Sequence, residues 1–130
     1  MLLLDTHIWL WALLEPGRLS GAVRDALASP AEMLRLSPVS VWEALVLAER
    51  GRIELGPDPR RWLDRALAAA PVAEVPLTFE VAMASRSIAL DHKDPADRFI
   101  AASALVFGLK LVTADARLLD CPDIEVLANR

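Results

Sequence analysis

The chain has 130 residues, enough for one domain with a buried core, and is 55% hydrophobic with only 5% aromatic residues. Its formal net charge of −4 argues against the broad basic footprint of a protein that coats nucleic acid, and its one cysteine, Cys121, excludes an internal disulfide and a thiolate-rich zinc site. No apolar run reaches the ~18 residues that span a bilayer, and Met1 to Leu4 lacks the basic flank of a signal peptide, so a soluble, cytoplasmic protein without membrane contact is expected.

In chain order, Leu2 to Leu4 is a short apolar run of the kind that forms a strand buried on both faces. His7 to Leu14 has helical length and stops at Pro16-Gly17, and Ser20 opens a second helix through Ala28 with Leu19, Val23 and Leu27 at helical spacing. Met33 to Ser37 reads as strand, Val39 or Ser40 to Arg50 as helix, and Gly51 as its C-cap. Pro59 to Ala70 is helical, Val72 to Val75 a third strand, and Thr78 to Leu90 a helix. Pro95 to Phe107 is a helix closed by Gly108, Leu109 to Thr113 a fourth strand, and Ile124 to Leu127 a fifth. Strands alternating with helices imply one α/β domain over residues 1–130, with a parallel sheet covered on both faces.

Four acids stand where strand-like runs give way to helix: Asp5, Glu43, Asp97 and Asp115. Each has a purely structural reading. Asp5 and Asp115 can cap the helices that follow them, and Ser40-Val-Trp-Glu43 has the spacing of a capping box. Asp97 suits the first turn of a helix whose cap, first residue and i,i+4 pair are supplied by Asp94, Pro95 and Arg98. Capping does not explain why acids recur at four strand ends. In an open α/β sheet those ends face one crevice, where acids distant in sequence converge. Oxygen ligands with little His or Cys suit Mg²⁺ or Mn²⁺, which can activate water against a phosphodiester.

These residues also carry a family resemblance. Leu3-Leu4-Asp5-Thr6-His7, Ser40-Val-Trp-Glu43, Asp94-Pro-Ala-Asp97-Arg98-Phe-Ile-Ala-Ala and Leu111-Val-Thr-Ala-Asp115 form an ordered set that resembles the PIN domain, and within it the VapC-type ribonuclease toxins of toxin-antitoxin pairs. The resemblance implies a three-layer α/β/α fold with a five-stranded parallel sheet in the order 3-2-1-4-5. It implies that Asp5, Glu43, Asp97 and Asp115 bind the catalytic metal, with Thr6 and Thr113 as supporting hydroxyls and Asp94 left to its capping role. It further implies RNA as substrate, a homodimer, and a VapB-like antitoxin through which alone the protein would meet DNA.

His92, Lys93 and Arg98 lie near Asp97 and are candidate substrate contacts, while His7 is either a base or a neighbour of the site. Arg50, Arg52, Arg60, Arg61 and Arg65 form a locally basic stretch that would track RNA backbone or solvate two helices. Trp9, Trp11, Trp42 and Trp62 could stack bases, yet three of them sit among apolar helical residues and read as core or interface. Two rival functions stand beside the nuclease. One is a module acting mainly through an antitoxin-bound DNA complex; the other is a Mg²⁺-dependent phosphatase with Asp5 as nucleophile, although Asp5-Thr6-His7 lacks the Asp-x-Asp pattern of such enzymes.

Overall fold

A computed structural model describes residues 1–130. Five strands, β1 (Leu2–Leu4), β2 (Leu34–Leu36), β3 (Ala73–Glu74), β4 (Lys110–Thr113) and β5 (Val126–Ala128), form one sheet in the order β3-β2-β1-β4-β5. Every pairing is parallel, with Leu3 opposite Arg35 on one side and Leu111 on the other. Seven α-helices make the connections: α1 (Thr6–Leu14), α2 (Gly21–Ala28), α3 (Pro38–Glu49), α4 (Pro59–Ala69), α5 (Phe79–Ser87), α6 (Pro95–Phe107) and α7 (Ala116–Leu119). No helix is long and apolar enough to cross a membrane.

The alternation of side chains along a strand builds two cores from one short apolar run. Leu2, Leu4 and Val112 point to one face, where Ile8, Trp9 and Leu10 of α1, Val23 of α2, Ala44 of α3 and Leu63 of α4 cover them. Leu3 and Leu111 point to the other, against Ile100, Ala101 and Ala104 of α6 and Leu118 of α7. The continuous Leu2-Leu3-Leu4 run is thus the signature of a middle strand buried on both sides.

Helix ends follow local chemistry. Ser20, Ser37, Asp58, Thr78, Asp94 and Asp115 each accept from a backbone N–H of the helix they open. At Gly51 (φ +69°) the chain closes α3 with Gly51 N–H donating to Ala48 O and Arg52 N–H to Leu47 O, the paired bonds of a Schellman ending. Gly108 (φ +63°) ends α6 in the same manner.

Strand ends shift by one or two residues, and the helical segments change in three places. The 3-10 turn Pro16–Arg18 is added between α1 and α2. Helix α3 starts at Pro38 with Ser37 as cap, one turn earlier than the Ser40-Glu43 box requires, so Ser40 lies inside the helix and Glu43 is free of capping. Helix α5 stops at Ser87 rather than Leu90, because Ile88 turns extended and Ile88 and Leu90 sink into the core beneath Leu3. Cys121 is buried and free.

Leu111→Ala should lower unfolding free energy in urea by about 2–5 kcal/mol, since the side chain is fully buried. Gly51→Ala meets no atom within 4 Å and should cost only the left-handed backbone penalty, about 1–2 kcal/mol.

Candidate metal centre

The carboxyl ends of β1 and β4 meet where the strand order reverses, and an open cleft of about 290 Å³ lies there. Its walls include Asp5, Glu43, Asp94, Asp97 and Asp115, with His7, Trp11 and Arg117 at the margins. All four sequence-assigned acids therefore line one space, and Asp94 joins them.

Asp5 is fixed on both carboxylate oxygens. Oδ1 accepts from the Thr6 N–H at 2.8 Å, capping α1, and Oδ2 accepts from the Thr113 hydroxyl at 2.7 Å. The same Thr113 oxygen accepts from the Asp115 N–H at 3.0 Å, so one hydroxyl links the ends of β1 and β4. The Thr6 hydroxyl donates to Glu43 Oε1 at 2.5 Å and also contacts the Ser40 hydroxyl at 2.8 Å. The supporting roles expected of Thr6 and Thr113 thus have explicit geometry: each holds a carboxylate supplied by a different element.

The opposite wall comes from the start of α6. Asp94 caps that helix through the Ala96 N–H at 2.9 Å, and the buried His92 places Nε2 at 2.5 Å from Asp97 Oδ2 and 3.9 Å from Asp115 Oδ2. Ligand atoms of His92, Asp94 and Asp97 all lie within 4.8 Å of one another, which suits a shared cation. Asp94, expected only to cap, also lines the cleft. Capping uses Oδ1 alone, so a helix-capping carboxylate can keep its second oxygen for the cleft.

Of the other candidates, His7 is exposed and lines the cleft, whereas Lys93 and Arg98 do not reach its wall. The Arg98 guanidinium donates to the carbonyls of Ser85, Ile88, Leu90 and His92 at 2.7–3.2 Å. These bonds hold the irregular segment between α5 and α6, and the expected ion pair with Asp94 does not form. Arg117 was missed. Two residues after Asp115, it donates to both Asp115 oxygens at 3.2 and 3.1 Å, and its only sequence signal was that spacing.

Burial pushes the Asp5 carboxyl up to about 6 despite its bonds to Thr113 and Thr6, and the Asp97 charge adds to the rise. Burial also raises Glu43 and Asp97, against the bonds from Thr6 and His92, with neighbouring acids reinforcing both shifts. Partial burial opposes ionisation of Asp115 as well, but bonding and charge from Arg117 leave it below the ordinary range. The cleft therefore holds carboxylates that are short of positive charge, and its nearly all-oxygen donor set fits a hard divalent cation.

For Asp5 the folded state binds more protons than the unfolded chain between about pH 3.8 and 6. Stability from this group falls as pH rises through that window, by roughly 3 kcal/mol once both states are ionised. A bound cation offsets that loss and needs the ionised acids. The rise in melting temperature on adding millimolar Mg²⁺ or Mn²⁺ should therefore be larger at pH 7.5 than at pH 5, read by differential scanning calorimetry; equal shifts at both pH values would contradict the site.

Comparison with known proteins places the chain by family and fold. The PIN domain family model matches residues 2–123. Ribonuclease VapC22 of Mycobacterium tuberculosis is 40% identical over 119 residues, covering 89% of this chain and 88% of that protein. The DNA-bound VapBC structure from Salmonella typhimurium shares the fold at a TM-score of 0.74 and 18% identity, covering 99% of this chain and 98% of its own. The FitAcB structure from Neisseria gonorrhoeae aligns with a TM-score of 0.66 and 25% identity, covering 99% of this chain and 98% of that one. By the extent of these matches, the chain belongs to the PIN-domain family, among its VapC-type members.

Proposed function

We propose that this chain is a Mg²⁺- or Mn²⁺-dependent endoribonuclease, working as one PIN domain and as the toxin of a cytoplasmic toxin-antitoxin pair. The observation that carries the reading is the convergence of Asp5, Glu43, Asp94, Asp97 and Asp115 in one cleft, with three of them held above their ordinary pKa. The name of the 40% identical relative supplies RNA as the substrate class.

Asp5, Glu43 and Asp97 would hold the ion, with Asp94 and Asp115 completing the anionic wall or a second position. When bound, the ion lowers the pKa of an attacking water and offsets charge developing on the phosphoryl oxygens. The protein's own part is orientation. Thr113 and the Thr6 N–H leave Asp5 no freedom to turn, Thr6 fixes Glu43, and His92 fixes Asp97. Arg117 is the cation poised at the rim; on approach of a phosphodiester it can exchange Asp115 for a phosphate oxygen.

An antitoxin of the VapB kind and a second copy of the chain are the expected protein partners. VapBC and FitAcB assemblies among the structural neighbours support the first, and any contact with DNA would come through that partner. Exposed Phe79 and Met83, one turn apart on α5, offer apolar surface for a protein contact.

Asp97→Asn should reduce metal-dependent cleavage of labelled RNA by at least ~100-fold while leaving the far-UV spectrum unchanged. Persistent cleavage in the folded variant would remove Asp97 from the mechanism. Asp94→Asn separates capping from metal binding, since Asn caps as well as Asp. Thermal stability should stay within about 0.5 kcal/mol of wild type while the Mg²⁺ concentration for half-maximal cleavage rises several-fold.

A further inference from the structure

Beside the acidic cleft lies a second cavity of about 230 Å³, and His7 and Trp11 line both. Its remaining wall includes Leu10 of α1, Leu47 of α3, Arg18 of the 3-10 turn and Arg52 just past the α3 ending. The character changes sharply between the two spaces. The first is a crowd of carboxylates; the second mixes apolar side chains and an indole with Arg18, paired with Glu15 at 3.6 Å, and with Arg52.

The fold positions the Arg18 side chain and the backbone at Arg52. Arg18 Cζ lies 4.2 Å from the centroid of the Trp11 ring, and His7 is tilted at 56° with its ring centroid 6.0 Å from that of Trp11. The turn carrying Arg18 is pinned to the chain after β5, where Asn129 Nδ2 donates to Arg18 O at 3.1 Å and Asn129 Oδ1 accepts from the Ser20 N–H at 2.6 Å. Arg52 is set by the Schellman ending, with its N–H on Leu47 O at 2.9 Å, and its guanidinium enters no ion pair.

An RNA strand whose phosphate enters the acidic cleft must leave it along a surface that does not repel it. The aromatic and cationic wall continuous with the cleft meets that need, because stacking on aromatic or guanidinium planes accepts any unpaired base and arginine accepts the flanking phosphate. Paired bases have no free face to present here.

We propose that the Trp11–Arg18–Arg52 cavity is a nucleotide subsite that takes one unpaired base beside the scissile phosphate. This rests on the ribonuclease reading above. The base packs against Trp11 and the plane of Arg18, and Arg52 takes the adjoining phosphate.

The test uses fluorescein-labelled five-nucleotide RNAs, U5 and A5, bound to the full-length protein in EDTA and read by anisotropy. Trp11→Leu, Arg18→Gln and Arg52→Gln should each weaken binding about 10-fold, and a five-base-pair RNA duplex or tripolyphosphate should compete poorly. Arg18 and Arg52 are exposed, so their variants decide the matter even if Trp11→Leu does not fold. With Mg²⁺ present, the same variants should raise KM more than they lower kcat. Unchanged RNA binding in both arginine variants, or tripolyphosphate displacing the RNA as well as unlabelled U5 does, would overturn the subsite even if the wild type cuts RNA. Base-dependent binding lost in the variants of a wild type that cuts no RNA would support the subsite and overturn the nuclease reading instead.

Discussion

The structure turns on a buried anion at the end of its middle strand. Asp5 is 5% exposed, and desolvating a carboxylate without compensation is costly. The fold answers with two donors, Thr113 from the neighbouring strand and the first N–H of α1, and these are also the contacts that fix the carboxylate's direction. Each solution to burial is therefore a solution to positioning. The same logic places Glu43 through Thr6 and Asp97 through His92, so that three elements remote in sequence present their acids to one space.

Those compensations are incomplete, and the residue is informative. If stability alone had shaped the cleft, five carboxylates would not be gathered where the basic partners are His92, on Asp97 and Asp115, and Arg117, on Asp115. A cleft that loses folding free energy at neutral pH by keeping anions together is one that the proposed cation would relieve. That physical strain, rather than the presence of acids as such, distinguishes this cleft from a set of well-capped helix starts.

Much of this was legible in the residues. The Leu2-Leu3-Leu4 run marked the doubly buried strand, Ser20 and Asp94 marked caps, and Gly51 and Gly108 marked helix ends, because each effect is local and set by one or two side chains. Strand edges slipped by one or two residues where pairing with a neighbour, not composition, decides the boundary: β5 runs from Val126 to Ala128 because Val112 and Thr113 end opposite Leu127 and Ala128. The Ser40-Glu43 box misled for a related reason. Its spacing is valid for a cap, but Pro38 already satisfies the first helical position, so Ser37 caps and Glu43 is turned to Thr6. His92 and Arg98 were near the site in sequence, yet their tasks depend on a loop whose path no local pattern records. Asp94 shows that capping and site membership are compatible, since the two carboxylate oxygens can be divided between them.

Arg98 gives the site an unusual form of dependence. Residues 88–94 belong to no helix or strand, and the carbonyls that a sheet ladder would ordinarily satisfy are gathered by one guanidinium. Lysine cannot reproduce that planar fork, so charge conservation would not preserve the loop's shape. His92 and Asp94 ride on this segment, and the far wall of the cleft is therefore only as rigid as a single side chain that stands outside that wall. Attenuating such a protein would not require editing a carboxylate: loosening this knot would leave every acid in the sequence and remove their common aim.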